Sequence, residues 1–75
     1  LERVQVYYLV MPVGYSTQAI TEKTVTEFGV YAGIFDHEMV TIALRDFYPY
    51  IKNMLYIVAT TKDCTAKMIR RKFFV

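Results

Sequence analysis

Cysteine, tryptophan, glycine and proline are scarce in this chain of 75 residues, which holds one, none, three and two of them respectively. Cys64 alone cannot close a loop within the chain, so the disulfide-stapled class of small secreted domains is excluded. A lone thiol fits a reducing compartment, and an intracellular, cytoplasmic setting is expected, with Cys64 an ordinary small residue. Gly29 and Gly33 are too few and too isolated for a phosphate-binding loop, and Ser16, the one serine, lacks a nucleophile-elbow context. His37 is the one histidine and sits between Asp36 and Glu38. Neighbours on an extended chain point in alternating directions, so these three do not converge, and no second histidine or paired cysteine completes a metal site. A solvated hairpin turn is the simpler reading, and neither an enzyme, a cofactor nor a metal is expected.

Long hydrophobic runs are also missing. The stretch from Ile42 to Val58 is interrupted by Arg45, Asp46 and Lys52, well short of the roughly 20 apolar residues that span a bilayer. The opening Leu-Glu-Arg is neither a start methionine nor the basic-then-apolar pattern of a signal peptide. Such a start is expected of a processed product, an excised domain or the ordered part of a longer protein.

What the chain does have is apolar and aromatic bulk. Hydrophobic residues make up 55%, including seven Tyr and five Phe, against 21% charged, which excludes disorder. One domain covering residues 1–75 is expected, since two pieces would each lack a core. A core this small supplies only about 3–5 kcal/mol, and this much apolar surface is hard to hide in it. Some aromatic surface is therefore expected to face a partner or a second copy of the chain.

Val4 to Met11 is apolar on both alternating sets and reads as a strand covered on both faces, ended by Pro12 and Gly14. Ser16 or Thr17 offers a helix cap, and Ile20, Thr24 and Phe28 recur at helical spacing before Gly29, predicting a helix over about 17–28. Val30 to Phe35 and Met39 to Arg45 flank the polar Asp36-His37-Glu38 and read as a hairpin, its second strand half-buried. Asp46 and Pro49 suit a short helical turn, and Leu55 to Thr60 a further buried strand. The expected class is α+β: a small antiparallel sheet packed with one or two helices, in the βαββαβ order of a ferredoxin-like sandwich. RNA-recognition domains use that order too, and Tyr7 and Tyr8 on the first strand invite the comparison, but Met39 to Arg45 lacks the basic, glycine and aromatic pattern of their third strand.

Charge is unevenly spread. Residues 1–61 carry four basic and six acidic side chains, whereas the segment 62–75 carries Lys62, Lys67, Arg70, Arg71 and Lys72 against Asp63 alone. This basic C-terminal segment is amphipathic and fits either a helix or an edge strand, a helix over about 64–73 being the favoured form. Lys67, Arg70, Arg71 and Lys72 can contact phosphates while Phe73, Phe74, Tyr7 or Tyr8 stack on bases; an anionic membrane surface is another acidic partner. Basic side chains that merely complement a helix C-terminus, with both Phe rings docked on the sheet, are the plain alternative. The favoured reading is a small protein-interaction domain, acting as a homo-oligomer or as a subunit of a larger assembly through its tyrosines and basic segment. The alternative is a nucleic-acid-binding domain using the same eight residues.

Overall fold

A computed structural model describes residues 2–15 and 19–75. The elements are β1 (Arg3–Pro12), α1 (Glu22–Phe28), β2 (Val30–Asp36), β3 (Lys52–Thr60) and β4 (Ala66–Phe74). They form one four-stranded sheet in the order β2-β1-β3-β4, with every neighbouring pair antiparallel. The βαββαβ expectation is therefore corrected to β-α-β-β-β, with a single seven-residue helix among the described residues. No second helix is needed, because β2 and β3 flank β1 and their crossover is made by the segment 37–51.

The register divides β1 and β3 between two faces. Val6, Tyr8 and Val10 lie opposite Ala59, Ile57 and Leu55 on one, and Tyr7, Leu9 and Met11 opposite Val58, Tyr56 and Met54 on the other. Helix α1 packs on the second face, where Val58 and the helix residue Val25 are both fully buried. Thr21 caps this helix, its Oγ1 accepting from the Thr24 amide at 3.3 Å while the Thr24 hydroxyl accepts from the Thr21 amide at 3.4 Å. The expected caps at Ser16 and Thr17 lie outside the described residues, and the expected helix over 17–28 is corrected to a start at Glu22, since residues 19–21 are not helical. Phe28 does not face the sheet and is 71% exposed; Val25 is the single buried anchor of α1.

Gly29 ends the helix for a reason other than handedness. Its φ of −84° is ordinary, but a Cβ there would stand 2.4 Å from the carbonyl oxygens of both Tyr8 and Val25. Only glycine lets the helix end come this close to the strand it crosses.

The first face has no helix. It is covered instead by the extended segment 37–45, in which Ile42 and Leu44 pack against the core of Tyr8, Val10 and Leu55. The expected strand Met39 to Arg45 is thus corrected to a strap. Its alternation is real, with Ile42 and Leu44 half-buried and Thr41, Ala43 and Arg45 exposed, but only Met39 pairs, with Asp36. The strap is pinned at its far end, where the Arg45 amide donates to the Tyr8 hydroxyl at 3.1 Å. The segment after it, read as a helical turn from Asp46, is instead a bend in which Asp46 and Tyr50 take positive φ of 63° and 69°.

Of the two forms expected of the basic segment, it takes the edge strand, β4, and the favoured helix over 64–73 is corrected. A tight turn folds it back onto β3: the Thr61 amide donates to the Thr65 carbonyl at 2.9 Å, and the Cys64 amide to the Thr61 carbonyl at 3.0 Å. Ile69 and Met68 then fall opposite Ile57 and Val58. Cross-strand apolar pairing of this kind outweighs local helix propensity in a sheet.

Candidate functional site

Strand β4 is an edge. One side pairs with β3 over all nine residues, from Ala66 opposite Thr60 to Phe74 opposite Lys52, and the other side carries no strand. An edge presents backbone N–H and C=O groups in a row that can pair with another chain. The register sends Lys67, Ile69, Arg71 and Phe73 to the strap-covered face, and Met68, Arg70, Lys72 and Phe74 to the helix-covered face. The four cations thus flank the edge, two above and two below. Among the described residues no carboxylate pairs with any of them, and the Arg71 guanidinium donates to the Arg70 carbonyl at 2.9 Å.

An aromatic corner adjoins the end of this edge. The loop 46–51 is held to the start of β3 by Asn53, the one fully buried polar side chain among the described residues. Its Oδ1 accepts from the Tyr48 amide at 2.8 Å, and its Nδ2 donates to the carbonyls of Tyr48 at 2.8 Å and Ile51 at 3.0 Å. A buried amide with its donors and acceptor used fixes a loop firmly. Asn53 lies opposite Phe73, and Lys52 opposite Phe74, so Phe47, Tyr48 and Tyr50 are carried to the Phe74 end of β4. Tyr50 is 86% and Phe74 65% exposed.

The residues singled out in the sequence are not brought together as one patch. Lys67, Arg70, Arg71 and Lys72 share the β4 edge but split between its faces, and Phe73 is half-buried against the core. Tyr8 is 2% exposed and has its hydroxyl bonded to the strap, so it belongs to the core and presents no ring to a ligand. Tyr7 lies on the helix-covered face, half-buried, its ring centroid 5.1 Å from that of Tyr31 at 55°. Sequence reasoning missed Asn53 and the loop aromatics. The available signal was an asparagine in phase with Leu55 and Ile57, on the face that otherwise reads apolar.

A second feature shares β4 as a wall. A cleft of about 450 Å³ lies between the strap and the β3–β4 surface, lined by Val40, Ile42 and Leu44 on one side and Leu55, Ile57 and Ile69 on the other. Lys67 and His37 are its only ionisable lining groups. His37 sits in the turn after β2, where its amide donates to the Glu2 carbonyl at 3.2 Å and its Nδ1 lies 3.3 Å from the same oxygen and 3.8 Å from Asp36 Oδ1. The Glu38 amide donates to Asp36 Oδ1 at 3.0 Å, so the Asp36 carboxylate shapes the turn. Among the described residues no group of three potential metal ligands forms, and no helix is long and apolar enough to cross a membrane.

Asp63, the acidic residue of the basic segment, belongs to the β3–β4 turn. Its carboxylate accepts from the Thr61 hydroxyl and from the Thr65 amide at 3.3 Å. These bonds, the Thr61 hydroxyl foremost, hold it below the usual aspartate value. No family model, curated protein or solved structure matches the chain.

Proposed function

We propose that this domain is a protein-interaction module that takes an extended, acid-rich segment of a partner as a fifth strand on β4, and so serves as a subunit of a larger assembly. The observation that carries this reading is the unpaired nine-residue edge with four cations on its flanks and no carboxylate within Ala66–Phe74. Main-chain pairing at such an edge supplies affinity, and side chains on either flank supply selectivity. The aromatic corner adds apolar contact beside the edge, in keeping with the Tyr, Phe and Arg that interfaces favour.

Charge separates the possible strand partners. A second copy pairing β4 against β4 sets Lys67, Arg70, Arg71 and Lys72 of one chain beside the same four of the other, and like charges directly opposite destabilise a sheet. An acidic segment reverses the sign of each of those contacts. A nucleic acid has less support, since cations on both flanks of an edge do not line one backbone track. Nor does it use the backbone groups of the edge, and Tyr8 is not available for stacking. An intracellular, cytoplasmic setting fits the exposed free thiol of Cys64.

Fluorescence anisotropy with a labelled acid-rich peptide and a single-stranded oligonucleotide of equal charge tests the reading. The peptide should bind, weaken as salt rises, and lose about tenfold in affinity on Arg70→Glu with Arg71→Glu. Binding of the oligonucleotide in preference to the peptide would replace this function with the nucleic-acid one.

A further inference from the structure

The cleft between strap and sheet has the form of a small-molecule site. Its volume of about 450 Å³ lies within the roughly 300–1,000 Å³ of typical ligand pockets. Its walls are aliphatic, and both of its ionisable groups are capable of positive charge. The register puts them at one end. Val6, Ala59 and Lys67 form one row across the sheet, Tyr8, Ile57 and Ile69 the next, and Val10, Leu55 and Arg71 the third. The His37 turn is bonded to Glu2 just before β1, so it stands at the end of the sheet where Lys67 lies. Leu44 and Leu55 line the far end.

We propose that this cleft binds a medium-chain fatty acid, its alkyl tail lying along Ile57 and Ile69 towards Leu44 and its carboxylate at Lys67 beside His37. From the Lys67 row to the Leu55 row is four residues of strand, roughly 14 Å, which suits a medium rather than a long chain. The side chains that would gain by cover are present: Ile69 is 52% and Val40 38% exposed. A tail removes that apolar surface from water, while the carboxylate meets Lys67, with which no carboxylate among the described residues pairs. The site uses the strap-covered face of β4 and not its edge, so it stands or falls apart from strand addition.

Laurate, titrated below its micelle concentration against the labelled protein, tests the site by methyl NMR, with dodecanol as the neutral counterpart. Saturable shifts of the Ile42, Ile57 and Ile69 methyls with one laurate per chain are expected. Lys67→Glu should weaken laurate about tenfold, and dodecanol should bind more weakly than laurate. Arg70→Glu, on the other face of the same strand, should leave laurate unchanged. Absence of saturable shifts at those methyls, equal binding of laurate and dodecanol, or an equal loss with Arg70→Glu would each overturn the proposal. Both substitutions are at exposed positions, and unchanged signals from Val25 and Val58 show that the fold is intact.

Discussion

The two edges of the sheet are protected against pairing in different ways. Edge β2 is broken by geometry: between Val6 and Tyr7 the register slips, Ala32 becomes an extra residue, and Gly33 takes φ 125°. A bulge of this kind bends the strand and interrupts the row of backbone groups that a partner needs. Edge β4 is longer and runs without a register shift over nine residues. Its protection is charge alone, and charge discriminates: it repels a second β4 but attracts an acidic strand. A bulge excludes partners indiscriminately, whereas a cationic edge excludes some and selects others.

The largest expected effect breaks that difference directly. The unaltered chain should be a monomer by light scattering, and replacing the four cations by Lys67→Gln, Arg70→Gln, Arg71→Gln and Lys72→Gln should make it self-associate, read as a rise in molar mass. Persistence of the monomer would mean that charge does not protect β4. Next comes the corner beside β4. Asn53→Ala removes three hydrogen bonds and strands the Tyr48 amide, at a cost of about 3 kcal/mol in urea unfolding.

Gly33→Val sharpens the contrast from the β2 side. A β-branched residue at φ 125° is strained, and about 2 kcal/mol of stability should be lost. Ile69→Val on the regular β4 edge should cost well under about 1 kcal/mol. The smallest effect lies in the β3–β4 turn. Because folding lowers the Asp63 value, its contribution is fully present above the unfolded aspartate value and is lost as pH falls through the folded one. The Thr65 amide shift, followed by NMR, should therefore report loosening of the turn only in the acid range, and Asp63→Asn should remove that transition.

Much of the sheet was legible in the sequence. The doubly apolar Val4 to Met11 is the central strand β1, Val30 to Phe35 and Leu55 to Thr60 fall within β2 and β3, and the polar triplet at His37 makes a turn. The strap was half legible. Alternation of Ile42 and Leu44 with exposed neighbours signals an extended chain with one side down, but that pattern is the same whether the chain pairs in a sheet or crosses its face. What decides it is Tyr8, whose hydroxyl holds Arg45 from 37 positions away. Strand β4 was legible only as one of two forms, because Lys67, Arg70 and Arg71 fall at helical spacing as readily as on a strand. An edge with mixed side chains on both flanks lacks the clean period of two that a half-buried strand shows. At the candidate site, the cations were found and their arrangement was not, because which flank each takes depends on the register with β3.

Amide hydrogen exchange across the whole chain, with and without the acid-rich peptide, tests the central claim most directly. Selective slowing of alternate amides within Ala66–Phe74, with Val30–Asp36 unchanged, is the predicted result. Slowing along Val30–Asp36 instead, or binding with no protection in β4, would contradict strand addition at the cationic edge.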